Sequence, residues 1–237
     1  IGVAKAIGGA SRMTGRGGGT SLPGKVLLRL QHDAITRLSR GLKRGSVVIS
    51  ATNGKTTTAS LLASILKRSR MSIVHNHAGA NMGSGIATAL LDASRKGVVD
   101  AELGLFEVDE AWASQIVQEV SPRVLVLANL FRDQLDRYGE LETLADGWQK
   151  MLEGLPASTR VVVNADDPLL SSIASKLENV LYFGIEDRSH ASLELSGAAD
   201  SKHCRRCGAP LEYEAVQLGH LGSYRCPNGD FERPQPA

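Results

Sequence analysis

The sequence predicts an α/β fold built on a mainly parallel, doubly wound sheet, with a helical arm before it and a small module after it. Three observations carry this. From Ser46 onward, short β-branched runs alternate with amphipathic helical runs, the pattern of crossover units in a parallel sheet. The stretch Ser50–Thr58 lies between one such strand and one such helix. Polar and glycine-rich residues gather straight after the strands, where open parallel sheets bind their ligands.

The arm, residues 1–45, holds nine basic residues (Lys5, Arg12, Arg16, Lys25, Arg29, Arg37, Arg40, Lys43, Arg44) against one acid, Asp33. The net charge of +2 therefore hides a basic arm on an acidic remainder. Such an arm suits an anionic partner or a membrane surface, and equally a solvated helical face. Gly15–Gly24 reads as a loop, followed by a helical patch over Val26–Leu42. The chain does not begin with Met, so a clipped N-terminus is expected.

The central domain is expected over residues 46–200. Strands are read at Val47–Ser50, Met71–His75, Ala101–Val108, Arg123–Asn129, Arg160–Asn164 and Val180–Phe183. Helices are read at Lys55–Arg68, Ser84–Arg95, Ala111–Glu119, Leu141–Leu152 and Leu169–Leu177. The 237 residues fit one large α/β domain, or one domain with a small module. No apolar run approaches the roughly 18 residues that span a bilayer.

Five loops carry chemistry, and the one after the fourth strand, Asn129–Gly139, is polar and charged straight after Val124–Leu127 and reads equally as a site or a salt-bridged turn. In the first, Thr52, Asn53, Gly54, Lys55, Thr56 and Thr57 have the make-up of a phosphate cradle. Gly54 permits close approach of an oxyanion, Lys55 brings a mobile cation, and the Thr56 hydroxyl can ligate Mg²⁺. The strict pattern asks for glycine where Ile49 stands. After the second strand, Asn76 and Asn81 can donate to and accept from a substrate, while His75 and His77 lack a third metal ligand nearby. After the third, Glu107 and Asp109 share one face, Glu107 as a candidate Mg²⁺ partner, and Glu110 is read as favouring a helix dipole. After the fifth, Asn164 and Asp167 precede Pro168, which suits a helix cap and leaves room for a ligand role.

The module, residues 201–237, brings Cys204-Arg205-Arg206-Cys207 and, about twenty residues later, Cys226-Pro227-Asn228-Gly229. Three late cysteines do not make a disulfide framework and suit a reducing compartment with Zn²⁺. Gly229 stands where a fourth cysteine belongs, so Asp230, His203 or His220 completes the site or the site has decayed. Without metal, the segment should be mobile or packed on the main domain, since its own core is too small.

Taken in order, Ala51–Thr57, Glu107-Val108, Asn129–Asp136 and Asn164–Pro168 resemble the central ATPase domain of the Mur ligases. Gly17–Lys25, Asn129–Gly139 and the inserted cysteine ribbon are similar, within that family, to the MurT type found in lipid II isoglutaminyl synthases. The resemblance implies ATP-driven activation of the D-glutamate carboxylate of the peptidoglycan stem peptide as an acyl phosphate, then amidation by ammonia from a glutaminase partner of the GatD type. It implies ATP bound by Thr52–Thr57 with Asn164 and Asp167 nearby, Mg²⁺ held by Thr56 and Glu107, and Zn²⁺ held by Cys204, Cys207 and Cys226. It also implies a cytoplasmic protein, at the inner membrane face where lipid II is found, and a catalytic residue in a C-terminal domain beyond Ala237.

Two departures shape the expectation. Gln134 follows Asp133 where classical Mur ligases carry histidine, and Trp148, with Lys150 two residues on, stands where they carry a carbamylated lysine. Only about 45 residues precede the first strand, too few for a UDP-sugar-binding domain, which favours a lipid-linked substrate. The alternatives are another Mur-fold ligase, such as a muramyl-peptide ligase or folylpolyglutamate synthase, or a basic zinc-ribbon protein for nucleic acid. Residues 1–45 contain no Phe, Tyr or Trp for base stacking, so no nucleic-acid partner is expected.

Overall fold

The computed structural model describes residues 21–76, 79–132, 140–195 and 199–237. A six-stranded sheet runs in the order β2-β5-β1-β6-β7-β8, with non-consecutive neighbours marking crossovers. The strands are β1 (Ser46–Ser50), β2 (Ile73–His75), β5 (Leu103–Val108), β6 (Val124–Leu127), β7 (Arg160–Asn164) and β8 (Val180–Phe183). Two compact units divide the chain: one runs to Leu125 without Ala51–Asn53, and the other takes Ala51–Asn53 and everything from Val126.

In the first unit, β5 pairs in parallel with both β1 and β2. All six β5 residues are buried, as expected of a strand covered on both faces. Helix α1 (Leu22–Leu30) opens with Pro23 in its first turn and ends at Gln31, whose extended backbone separates it from α2 (Ala34–Ser39). The single helical patch expected over Val26–Leu42 is thus two helices. Helix α1 packs closely on α4 (Gly83–Ala93) at Gly24. A Cβ there would lie 1.8 Å from the Ser84 carbonyl oxygen, and the Gly24 N–H donates to Thr88 Oγ1 at 2.9 Å. Only glycine allows that approach. Helix α3 (Lys55–Arg68) follows β1, and α5 (Ala113–Val120) follows β5. A short hairpin, β3 (Ser94–Arg95) with β4 (Val98–Val99), takes the place of the last helical turn expected before Lys96. Lys96 and Gly97 turn it with positive φ.

In the second unit, β7 and β8 pair in parallel, flanked in sequence by α6 (Glu140–Glu153) and α7 (Pro168–Ala174). Trp148, at the position where a carbamylated lysine was sought, is 1% exposed and belongs to the apolar core. The segment from Ser201 forms an antiparallel hairpin, β9 (Glu212–Leu218) with β10 (Leu221–Arg225), over a small core of Cys204, Leu211, Tyr224, Cys226 and Phe231. This segment is joined to the turn after β7. The Tyr224 hydroxyl donates to the Ala165 carbonyl at 3.0 Å, Gly222 N–H to the Asp166 carbonyl at 2.9 Å, and Arg233 Nε to Asp166 Oδ1 at 2.7 Å. Burial pushes the Tyr213 and Tyr224 phenols above their ordinary pKa, and the nearby Asp167 carboxylate pushes the same way. Among the described residues, no helix is long and apolar enough to cross a membrane.

Candidate functional site

Within the first unit, the loop leaving β1 reaches α3 at Gly54, which caps that helix with φ 79°. An added Cβ would meet nothing within 4 Å, so the requirement for glycine here is conformational. Lys55, the first residue of α3, reaches Glu110 with Nζ 3.5 Å from Oε2. Both side chains are largely buried, at 14% and 12% exposure, so little solvent screens the pair. The helix-dipole reading of Glu110 is therefore corrected: α5 begins only at Ala113, and Glu110 holds the loop's cation.

Glu107 is 1% exposed, and neither carboxylate oxygen has a hydrogen-bond partner among the described residues. A buried carboxylate is tolerated when a cation meets it. Asn76 sets its position: its side-chain oxygen accepts from Glu107 N–H at 3.0 Å, and its Nδ2 donates to the Glu107 and Ala80 carbonyls, each at 2.8 Å. The side chain expected to meet substrate is thus 2% exposed and engaged inside the protein. Its work is to clamp the end of β5 to the loop after β2. Asn81 is half-buried, with its carbonyl accepting from Asp109 N–H at 3.0 Å. Thr56 and Thr57 are exposed on the first turn of α3.

Within the second unit, Thr52 and Asn53 are bonded to the segment after β6. Asn53 N–H donates to Asn129 Oδ1 and Asn129 Nδ2 returns a bond to the Asn53 carbonyl, both at 2.9 Å. Thr52 N–H donates to the Asn129 carbonyl at 3.1 Å, and Phe131 N–H donates to Thr52 Oγ1 at 3.0 Å. Asn164 and Asp167 support that segment from behind. Asn164 Nδ2 donates to the Ala128 carbonyl at 2.9 Å, and Asp167 Oδ2 accepts from Leu130 N–H at 2.9 Å. The other Asp167 oxygen caps α7, accepting from Leu169 and Leu170 N–H. Asp167 is fully buried, with His220 Nε2 3.5 Å away and the His220 ring 4.6 Å from that of Phe131. The expected cap is present, and Asp167 acts on the loop through Leu130. Sequence reasoning placed Asn129 and Phe131 in a stretch read equally as a site or a salt-bridged turn, and gave neither an individual role; their contacts to Thr52 and Asn53 span more than seventy residues. Gln134 and His77 lie outside the described residues.

Cys204, Cys207, Cys226 and Asp230 place their ligand atoms within 4.8 Å of one another. Matched bends present them: Gly208 N–H bonds the Cys204 carbonyl and Gly229 N–H the Cys226 carbonyl, both glycines at positive φ. Of the three groups left open to complete the cluster, the geometry selects Asp230. His220 is buried against Asp167, and His203 is absent from the cluster.

A phosphate-type loop ahead of α3, a buried acidic strand end on β5 and a mainly parallel six-stranded sheet are the marks of a nucleotide-binding α/β domain. Residues 49–228 match the Mur ligase middle domain, and the chain belongs to that family. It is 33% identical over 235 residues to lipid II isoglutaminyl synthase (glutamine-hydrolyzing) subunit MurT of Staphylococcus aureus, covering 99% of this chain and 52% of that protein. With the same subunit of Streptococcus pneumoniae it shares 34% identity over 220 residues, 92% of this chain and 48% of the relative. Among solved structures, a pseudomurein peptide ligase type C from Methanothermus fervidus matches with a TM-score of 0.65 at 28% identity, covering 82% of this chain and 37% of the ligase. The chain spans about half the length of the curated relatives it matches.

Proposed function

We propose that this chain is the nucleotide-binding portion of an ATP-driven, amide-forming ligase acting on lipid II, with glutamine as nitrogen source through a glutaminase partner of the GatD type. The observation that carries this reading is the buried Glu107 carboxylate, which has no hydrogen-bond partner among the described residues and sits in the same unit as Lys55. A carboxylate in that state fits Mg²⁺, with the Thr56 hydroxyl as the companion ligand. When bound, Mg²⁺ supplies neutralisation of charge on the transferring phosphoryl group. Lys55 would exchange its Glu110 partner for phosphate oxygens, and the N–H groups of the first turn of α3 would face the same anion.

The reaction requires activation because a carboxylate is a poor acyl donor. Its oxygen attacks the γ-phosphorus of ATP, and ADP leaves. Ammonia then attacks the acyl carbon, the C–O bond to phosphate breaks, and the nitrogen loses a proton to give the amide. Titration of the purified chain with ATP and Mg²⁺ tests the first requirement. Metal-dependent binding is expected, with Lys55→Ala weakening it by about tenfold or more. No metal-dependent ATP binding would sink the reading. The second requirement is tested by supplying the chain with a GatD-type glutaminase and the carboxyl-terminal half of a MurT relative. Glutamine-dependent amidation of lipid II is the expected result.

The cysteine cluster is read as a structural Zn²⁺ centre, closed by Cys204, Cys207, Cys226 and Asp230. A tetrahedron with Zn–S bonds of about 2.3 Å has edges of roughly 3.8 Å, which these groups reach with small side-chain movement. Four protein ligands leave no position for chemistry, so the metal would stabilise the ribbon. Metal analysis should find one zinc per chain. Asp230→Ala should lower zinc retention under a chelator, and Asp230→Cys should raise it above the parent. Equal retention in all three forms would exclude the carboxylate as ligand.

A further inference from the structure

Gly219 and His220 close the hairpin of β9 and β10, and this turn lies against the segment that follows β6, within the same unit. Gly219 holds φ 61°, and a Cβ added to it would stand 2.8 Å from the Phe131 ring. Glycine is needed here twice over, for the conformation and for the approach. The ribbon pins the turn from its own side, where the Tyr213 hydroxyl donates to the His220 carbonyl at 2.9 Å.

His220 is fully buried, and neither ring nitrogen has a hydrogen-bond partner among the described residues. An apolar side chain in that space would carry no such desolvation cost, so packing alone does not account for a histidine. Its neighbours do. Nε2 lies 3.5 Å from Asp167 Oδ2, the oxygen that accepts from Leu130 N–H. The imidazole centroid lies 4.6 Å from that of Phe131 with the planes tilted by 49°, a favourable aromatic pairing. Phe131 N–H in turn donates to Thr52 Oγ1, and Thr52 and Asn53 lead directly into Gly54 and Lys55. One imidazole thus stands against both supports of the loop, the Asp167 carboxylate and the Phe131 ring.

We infer that His220 is a positioning residue for the phosphate-type loop, holding Leu130 through Asp167 and Phe131 through ring packing, so that the cysteine ribbon braces Thr52. The ribbon then has a task beyond its own stability: its hairpin turn keeps the entry to the loop in one conformation. The inference deepens the ligase reading and rests on it for the consequence in nucleotide affinity.

Amide hydrogen exchange and titration with MgATP, both on the intact chain, test this. His220→Ala should speed exchange at Thr52, Asn53, Leu130 and Phe131 by about three- to tenfold and weaken MgATP binding by a similar factor, while the β7–β8 ladder exchanges as in the parent. A histidine that only fills the ribbon core would loosen the ribbon amides and spare the loop. His220→Gln keeps a nitrogen donor in reach of Asp167 without the ring, so it should restore protection at Leu130 and not at Phe131. Gly219→Ala leaves His220 in place and drives the turn off Phe131. It should loosen the same loop amides, and it carries the test if His220→Ala does not fold. Parental exchange across the loop in both alanine variants overturns the inference. Loosening confined to residues 212–225 does so as well, as does a loosened loop that binds MgATP like the parent. Absence of metal-dependent ATP binding in the parent chain sinks the ligase reading instead, and exchange still decides whether His220 holds the loop.

Discussion

Replacing Glu107 by glutamine is expected to weaken Mg²⁺-dependent ATP binding by about tenfold or more and, in metal-free buffer, to raise the thermal midpoint by a few degrees. The two effects have opposite sign for one reason. At 1% exposure, the Glu107 carboxylate is withdrawn from solvent, and neither oxygen gains a donor among the described residues. That desolvation costs several kcal/mol for a charge and about 1–3 kcal/mol for a neutral polar group. The glutamine amide keeps the volume and lowers the penalty, yet it cannot neutralise a divalent cation. A domain of this size gains about 2–4 °C per kcal/mol. Nucleotide titration and a thermal scan with and without Mg²⁺ check both halves. A variant that binds MgATP like the parent removes Glu107 from the metal site.

Asp167→Ala is expected to be the most damaging single change to stability, at roughly 2–5 kcal/mol in urea denaturation. The helix cap on α7 accounts for about 0.5–2 kcal/mol of this. Leaving the Leu130 N–H without its acceptor accounts for about 1–3 kcal/mol more, because that bond lies in the buried interior. Asp167→Asn retains an acceptor oxygen and should fall between the parent and the alanine variant. A loss below about 1 kcal/mol for Asp167→Ala would mean that neither bond matters as the geometry indicates.

The strands were the most legible part of the sequence. Val47–Ser50, Arg160–Asn164 and Val180–Phe183 match the observed strands to within a residue, because β-branched runs between turn residues leave little ambiguity. The arm was less legible. Val26–Leu42 has one continuous helical pattern, and the extended backbone at Gln31 follows no proline or glycine. The loops showed which residue types gather after each strand, and the phosphate-type loop was found from its flanks. Their partners were hidden: Lys55 with Glu110, Asn53 with Asn129 and Asp167 with His220 are set by the crossovers of the sheet, and no local spacing encodes them. Asn76 shows the same limit. A polar residue after a strand has one composition whether it faces a ligand or clamps a neighbour, and its two bonds to the Glu107 backbone were invisible in the chain order.

The bonds that tie Thr52 and Asn53 to Asn129 and Phe131 also bear on the entropy of binding. Fixing one residue's backbone costs about 1–2 kcal/mol at room temperature. These two residues are already held by main-chain and side-chain bonds within their own unit. A ligand contacting this loop would not have to order them, so roughly 2–4 kcal/mol of its contact energy is left to appear as affinity. Asn129, which touches no helix cap and belongs to no cysteine cluster, is thereby a residue whose loss should be felt as weaker binding more than as a weaker fold.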